Sequence, residues 1–222
     1  MKHNMILPDL FSFLDTQGIT LSERQRALLL IYYDELAGWS KKMNLVSTGD
    51  LPHIVERHFL PSFAYVNQLA ADGIDSGARI LDLGTGSGLP GIILSIYFND
   101  DNITLLDSSR KKILFLKRLI KKLELRTNVI HGRAESTKES FDIVVARAVS
   151  DIPALIDLSS PLIKIPGFLY MMKGDDYRQE LRDALPDGVH LAEVEIPGSW
   201  KQFSPYLQNK LFIKIEFTDA GK

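Results

Sequence analysis

The chain has 222 residues, and its 45% hydrophobic and 24% charged residues are typical of a globular protein rather than a disordered one. Its 26 basic and 28 acidic residues give a net charge of −2, so any contact with nucleic acid must come from a local basic patch. The absence of cysteine excludes disulfides, thiolate metal sites and every mechanism that needs a cysteine nucleophile.

The first third of the chain is predicted to be helical. Apolar residues recur there at the spacing of amphipathic helices, and Ser22 stands where a helix cap is expected. A further helix is predicted over 51–69, bent or broken at Pro61. We expect residues 1–75 to form a helical extension that packs on a catalytic domain of residues 76–222.

The amino terminus does not resemble an export signal, because Pro8 and Asp9 interrupt its apolar stretch and no small-residue cleavage site follows. No stretch approaches the roughly 18 uncharged apolar residues that a membrane helix requires. We therefore expect a cytoplasmic protein that makes no contact with a membrane. Nothing in the sequence requires more than a monomer.

Beyond residue 75, short β-rich runs alternate with helical segments, an order that predicts a mostly parallel sheet with right-handed crossovers. The last two runs follow each other with no predicted helix between them, so we expect them to pair as an antiparallel hairpin. The predicted strands are 79–83, 103–106, 128–131, 141–146, 167–172, 189–196 and 211–217. This seven-stranded α/β layout is similar to the Rossmann-like fold of class I S-adenosylmethionine-dependent methyltransferases, here with an N-terminal helical cap.

A glycine-rich turn follows the first of these strands, in the sequence LDLGTGSGLPG (81–91). Gly84, Gly86 and Gly88 allow a tight turn from strand to helix and let a ligand approach the bare main chain. Pro90 suits the first turn of the next helix, where a backbone N–H is not needed. The turn is therefore predicted to bind a cofactor, although a turn of this kind can also be a plain connector.

The acid in this turn bears on the choice of ligand. Gly86, Gly88 and Gly91 also satisfy the dinucleotide pattern G-x-G-x-x-G, so a nicotinamide-dependent oxidoreductase is an alternative. A pyrophosphate would be repelled by Asp82, whereas the cationic amino acid and sulfonium of S-adenosylmethionine would be attracted by it. Asp82 can also cap the turn, and the two roles are compatible.

A second acid, Asp107, ends the second predicted strand, near the position at which a carboxylate takes the hydroxyls of a ribose. Ser108 and Ser109 follow it and are predicted to cap the next helix or to contact the nucleoside. The segment 132–135 follows the third strand and is expected to meet the adenine edge. Glu135 within it is alternatively a solvated acid at a helix start.

Several motifs together resemble one family, the small-subunit ribosomal RNA methyltransferase G family, also called glucose-inhibited division protein B. The motifs are LDLGTGSGLPG (81–91), LLDSSRKKILFLKRL (105–119), ARAVS (146–150), MMKG (171–174), NLVS (44–47) and ERHFLPS (56–62). The resemblance implies methylation of guanine N(7) in 16S ribosomal RNA. It implies cofactor contacts at Gly84, Leu89, Asp107, Ser108, Ser109, Ala134, Glu135 and Arg147. The chain departs from the family at Pro61, where an aspartate is usual.

The residues present also agree with a guanine N(7) acceptor. Methylation of cytosine C5 needs a thiolate, and methylation of exocyclic amines typically uses an Asp/Asn-Pro-Pro-aromatic loop, in whose place this chain has ARAV (146–149). Guanine N(7) carries an in-plane lone pair and needs no base. Arg147 is a candidate to donate to guanine O6 or to a phosphate.

Three further residues are catalytic candidates. Lys173 ends the fifth strand at the edge of the sheet where ligands bind in such folds. Lys173 and Arg147 are alternatively ordinary charges at strand ends. Asn44 and His58 are weaker candidates, and a lone histidine such as His58 is more often a structural hydrogen-bonding group.

A basic segment is the predicted contact for RNA. Within 110–126 a single acid, Glu124, accompanies eight basic residues, which are Arg110, Lys111, Lys112, Lys117, Arg118, Lys121, Lys122 and Arg126. Lys41 and Lys42 are a second candidate surface, although charged helix faces are often only solvated. No metal-ligand spacing is present, and we predict no metal. A third possible function is an inactive, methyltransferase-like RNA-binding protein.

Overall fold

The computed structural model describes residues 4–74, 77–99, 102–147, 150–181 and 185–219. The predicted boundary between the helical extension and the catalytic domain, at residues 75 and 76, lies outside these ranges. So do Ala148 and Val149 of the loop predicted to follow the fourth strand. Among the described residues, no helix combines the length and the apolar character needed to cross a membrane.

The described helices agree with the predicted order. Ser22 caps α2 as expected: its hydroxyl accepts from the Gln25 backbone N–H, and the Gln25 side chain accepts from the Ser22 N–H at 2.9 Å. The α-helices are α1 (Leu7–Thr16), α2 (Glu23–Met43), α3 (Leu60–Ala71), α4 (Gly91–Phe98), α5 (Arg110–Leu123), α6 (Ile152–Ser159) and α7 (Gly198–Phe203).

The segment predicted as one helix over 51–69 has an irregular first half. A 3-10 turn at Leu51–His53 and a wide π turn at Val55–Phe59 precede α3. The irregular part lies directly before Pro61, which has no backbone N–H and therefore cannot make the regular bond to the Arg57 carbonyl. The Arg57 carbonyl oxygen instead lies 3.5 Å from Nη1 of Arg147, which follows the fourth strand.

The sheet has seven strands in the order β3-β2-β1-β4-β5-β7-β6. β1 to β5 are parallel, and β7 lies between β5 and β6, antiparallel to both. The strands are β1 (Ile80–Leu83), β2 (Ile103–Asp107), β3 (Asn128–His131), β4 (Phe141–Ala146), β5 (Ile163–Gly174), β6 (Val189–Glu195) and β7 (Lys210–Phe217). The predicted Rossmann-like class I fold with an antiparallel C-terminal hairpin is confirmed.

One expectation about this hairpin was wrong. The connection between β6 and β7, predicted to lack a helix, contains the short helix α7. Pro197 and Gly198 indicated a loop, but Trp200 is fully buried and packs edge-on against Phe13 of α1, with ring centroids 5.2 Å apart. Phe203 stacks on the same Phe13 ring. Contacts with α1, at the other end of the chain, therefore stabilise α7. Such contacts cannot be predicted from the local sequence pattern of 198–203.

Successive residues of each strand face opposite layers. Ile80, Ile103 and Ile143 belong to a core shared with α1 to α5, whereas Leu81 and Val144 belong to a second core shared with α6. The N-terminal helices thus cover the same face of the sheet as α4 and α5. Asp82, two residues after Ile80, points into this face beneath the start of α4.

Candidate functional site

The carboxyl ends of the central strands lie side by side, and this register assembles the site. Leu83 of β1 pairs with Leu106 of β2 and with Ala146 of β4. The next residues along the chain are Gly84, Asp107 and Arg147, and Gly84 lies between the other two because β1 lies between β2 and β4. Residues that are far apart in the sequence therefore meet at one edge of the sheet, where ligands bind in open α/β folds.

The glycines of the turn serve different purposes. Gly84, Gly86 and Gly88 all have positive φ angles, of 68°, 61° and 102°, a conformation that other residues rarely adopt. A Cβ at Gly86 would have no neighbour closer than 3.8 Å, so its main chain is open to a ligand. A Cβ at Gly88 would lie 2.6 Å from Ile92, and the side chain of Leu89 is buried. Gly88 and Leu89 therefore face the interior, and any ligand contact at Leu89 involves its main chain.

Asp82 holds the turn together from below. Its Oδ2 accepts from the Thr85 hydroxyl at 2.6 Å and from the Gly91 N–H at 2.7 Å. Its Oδ1 is buried and has no hydrogen-bond partner in the described ranges. Burial raises the pKa of this carboxyl to about 6, in spite of the two hydrogen bonds. Of the two roles left open by the sequence, the capping role is present, and the ionised carboxyl places a negative charge with one unpartnered oxygen beneath the turn.

Asp107 joins the glycine turn to the start of α5. Its Oδ2 accepts from the Gly86 N–H at 2.9 Å, and its Oδ1 accepts from the Ser109 N–H at 2.8 Å. Ser109 stands at the N-cap position, but its own hydroxyl makes no capping bond. The capping bond predicted for the serines is thus not made by Ser109, and the Asp107 carboxylate accepts from the Ser109 N–H while it retains lone pairs for a ribose hydroxyl.

A cavity of about 240 Å³ opens beside Asp107 and brings together five of the predicted cofactor residues: Gly84, Asp107, Ser108, Ala134 and Glu135. Leu83, Leu106 and Leu158 complete apolar walls that suit a flat base, and the carboxylates suit the hydroxyls of a sugar. These residues, with the unpartnered Asp82 oxygen below the turn, fit a nucleoside that carries a positive charge. Ser109 is not one of the described residues that line this cavity.

Arg147 is held by the N-terminal helical region. Its Nη2 lies 3.1 Å from His58 Nδ1, and its Nη1 lies 3.5 Å from the Arg57 carbonyl oxygen. Because an arginine can only donate, His58 Nδ1 is the acceptor and the imidazole proton is assigned to Nε2. Burial, together with the charge of Arg147, lowers the pKa of His58 to about 4. His58 is therefore neutral near pH 7 and acts as a positioning group for Arg147.

Asp50 extends this cluster. Its Oδ1 accepts from Arg57 Nη1 at 2.5 Å, its Oδ2 accepts from the Ser47 hydroxyl at 2.9 Å, and that oxygen lies 3.7 Å from His58 Nε2. The hydrogen bond from Arg57 is the main reason why the pKa of Asp50 is lowered. The cluster thus ties the loop after α2 to Arg147. Asn44, also predicted as catalytic, ends α2 in a left-handed conformation and lines a separate groove.

Lys173 lies at the same edge, but its contacts are with protein groups. Its Nζ donates to the Ser150 carbonyl at 2.8 Å and to Glu180 Oε2 at 2.7 Å. Glu180 Oε2 also accepts from the Ile152 N–H at 2.9 Å. Lys173 and Glu180 therefore fasten the segment between β4 and α6 to the end of β5.

Two buried tyrosines of the site were missed by the sequence analysis. The Tyr65 hydroxyl donates to the Ala146 carbonyl at 2.7 Å and accepts from the Met172 N–H at 2.9 Å, which joins the ends of β4 and β5. The Tyr32 hydroxyl donates to the Ser87 carbonyl in the glycine turn at 3.0 Å. Both lie in segments for which the sequence analysis predicted only helical structure. A hydroxyl within an otherwise apolar helical face is the signal that could have identified them.

Comparisons with known proteins extend over most of the chain. A family model described as rRNA small subunit methyltransferase G matches residues 25–194. A protein named ribosomal RNA small subunit methyltransferase G from Mycoplasma capricolum is 37% identical over 175 residues, which are 77% of this chain and 74% of that protein. One of the same name from Bacillus cereus is 36% identical over 204 residues, 88% of this chain and 81% of the other.

Solved structures share the fold at low sequence identity. A SAM-dependent methyltransferase from Aquifex aeolicus has a TM-score of 0.55 at 14% identity, with 75% of this chain and 94% of that chain covered. A mutant of MtNAS in complex with S-adenosylmethionine has a TM-score of 0.56 at 18% identity, with 96% of this chain and 84% of that chain covered. Because the family model and the named relatives span most of its length, the chain belongs to the rRNA small subunit methyltransferase G family.

Proposed function

We propose that this methyltransferase transfers the methyl group of S-adenosylmethionine to N(7) of a guanine in 16S ribosomal RNA. The observation that carries the proposal is the nucleoside-sized cavity at the glycine turn, one strand away from an arginine held by neutral protein groups. The names of the relatives support a ribosomal RNA substrate of the small subunit.

The residues that would hold the cofactor come from three strand ends. The main chain at Gly84 and Gly86 would face the methionine part, Asp107 would accept from the ribose hydroxyls, and Ala134 and Glu135 would meet the adenine. S-adenosylmethionine supplies an electrophilic methyl group on a sulfonium. Asp82 lies below the turn and is buried from solvent. Its negative charge would attract this positively charged ligand.

The acceptor atom needs little chemical assistance. Guanine N(7) has a free lone pair in the plane of the ring, so the protein has to orient the base and exclude water rather than remove a proton. This agrees with His58, whose Nδ1 is occupied by Arg147 and which is neutral near pH 7. We assign Arg147 to donate hydrogen bonds to guanine O6 or to the adjacent phosphate.

Methyl transfer from labelled S-adenosylmethionine into small subunits of a strain that lacks the gene tests the proposal. We expect incorporation at a single guanine of 16S ribosomal RNA, with N(7) identified by strand cleavage with aniline after borohydride reduction of the modified base. Incorporation at another atom would contradict the assignment to N(7). If the protein binds S-adenosylmethionine but transfers nothing, the inactive RNA-binding alternative is favoured.

Two substitutions of Arg147 distinguish the contribution of its positive charge from that of its paired hydrogen bonds. We expect Arg147→Ala to lower kcat/KM for the RNA roughly 100-fold, because a charge-assisted pair of hydrogen bonds is lost. Arg147→Lys retains the charge but cannot donate two parallel bonds, so we expect it to recover less than a tenth of the activity. Single-turnover methylation rates measure both variants, and full activity of Arg147→Lys would show that only the charge is required.

A further inference from the structure

We propose that the groove between the end of α2 and the start of α5, called here the α2–α5 groove, binds a single-stranded segment of the RNA substrate. The groove has a volume of about 740 Å³, and its lining includes Trp39, Lys41, Lys42, Lys111, Leu114 and Arg118. The inference rests on the proposed function, since it names the surface by which the same enzyme would hold its RNA.

The tertiary structure merges two basic segments that are about 70 residues apart in the sequence. Lys41 and Lys42 come from the last turn of α2, and Lys111 and Arg118 come from α5. Among the described residues that line the groove, none is acidic. Lys41 and Lys111 have no carboxylate within 4 Å in the described part of the chain. In a chain with a net charge of −2, such a local excess of positive charge favours a polyanion.

The groove also exposes apolar surface, which phosphate binding alone does not require. The side chain of Leu114 is 60% exposed, and it lies in the groove with Trp39 and Phe115. The Trp39 ring already has Lys42 Nζ and Arg118 Cζ at 5.3 and 5.4 Å from its centroid. Exposed apolar surface flanked by cations suits unstacked bases together with their phosphates, and this combination is typical of sites for single strands.

The position of the groove connects it with the cofactor site. Lys112 is the next residue after Lys111, and its Nζ lies 3.8 Å from Asp107 Oδ2. The first turn of α5 therefore borders the groove on one side and the cofactor site on the other. A strand bound along the groove would lead toward the glycine turn. The left-handed conformation of Asn44, with φ of 52°, ends α2 at this point and leaves its two lysines beside α5.

Two matched double variants test the groove. Lys41→Ala/Lys111→Ala removes two exposed positive charges within it, and Arg24→Ala/Lys138→Ala removes two exposed positive charges that lie outside it and outside the predicted basic segment. We expect the first pair to weaken binding of a 16S ribosomal RNA transcript about tenfold and to reduce the salt slope by about 1.4, as for two lost phosphate contacts to a single strand. The second pair should change the affinity less than twofold.

The apolar part of the groove has a separate test. Because Leu114 is exposed, Leu114→Ser should fold normally, weaken binding of the transcript about threefold and leave the salt slope unchanged. Filter binding between about 50 and 200 mM salt measures all variants, and calorimetric titration with S-adenosylmethionine should give wild-type affinity for each. An unchanged affinity of Leu114→Ser would contradict contact with bases.

The other outcomes also decide the inference. Equal losses for the two double variants would overturn it, because net charge alone would then explain binding. Normal binding of the transcript with weakened binding of whole small subunits would overturn it in favour of an acidic protein partner. These affinities are independent of methyl transfer, so a wild-type protein that transfers no methyl group would contradict the proposed function and still leave the groove to be judged by its RNA affinity.

Discussion

Substitution of Asp82 by asparagine should weaken binding of S-adenosylmethionine about tenfold at pH 7 and hardly at all at pH 5. Asparagine keeps the shape of the side chain, and its oxygen can still accept from Thr85 and Gly91. What it removes is the negative charge beneath the glycine turn. A tenfold change corresponds to about 1.4 kcal/mol, a modest value for a charge that acts across a partly solvated turn.

The pH dependence follows from burial. Because the pKa of Asp82 is raised to about 6, the wild-type carboxyl is ionised at pH 7 and mostly protonated at pH 5. The affinity of the wild type for the cation should therefore rise with pH through about 6, whereas that of Asp82→Asn should stay flat. Calorimetric titration at several pH values measures both, and a pH-dependent affinity of the variant equal to that of the wild type would contradict the charge argument.

The stability of the wild-type fold should fall with rising pH, whereas its affinity for the cofactor should rise. A carboxyl whose pKa is raised by folding binds its proton more tightly in the folded state, so the free energy of unfolding falls as the pH rises from about 4 to about 6. Asp82→Asn lacks this loss and should be at least as stable as the wild type at pH 7. Denaturant unfolding at pH 5 and pH 7 serves as the control that weakened binding does not reflect misfolding.

The second large effect is expected at Gly91. A Cβ at this position would lie 2.7 Å from Asp82 Oδ2 and 2.9 Å from Asp82 Cβ, and it would also collide with Leu105 of β2. Gly91→Ala therefore requires the start of α4 to move away from the sheet. We expect it to destabilise the protein by about 3 kcal/mol, which lowers the Tm by roughly 6–12 °C for a chain of this size.

Gly198→Ala is the matched control, because Gly198 is likewise the first residue of a helix and a Cβ there would meet nothing within 4 Å. We expect its Tm to stay within about 2 °C of the wild type. Thermal unfolding followed by circular dichroism compares the two variants. A normal Tm for Gly91→Ala would mean that the contact between α4 and β1 is looser than the structure indicates.

Local patterns in the sequence determined the order of the elements and much of the candidate cofactor site. The alternation of strands and helices predicted the parallel sheet, and glycines after a hydrophobic strand predicted the turn that lines the cavity with Asp107. These features depend on periodicity, on backbone conformation and on positions directly after strands. All three are properties of short segments, so they can be recognised without knowledge of the fold.

Tertiary structure decided the contacts between distant segments. His58 and Arg147 are 89 positions apart, and Tyr65 and Ala146 are 81 positions apart, yet each pair shares a hydrogen bond. The short helix α7 packs against α1, which is distant from it in the sequence. The α2–α5 groove lies where two basic segments meet. Such contacts depend on how helices pack across the sheet. Because many partners of suitable chemistry are available along the chain, only the folded geometry selects among them.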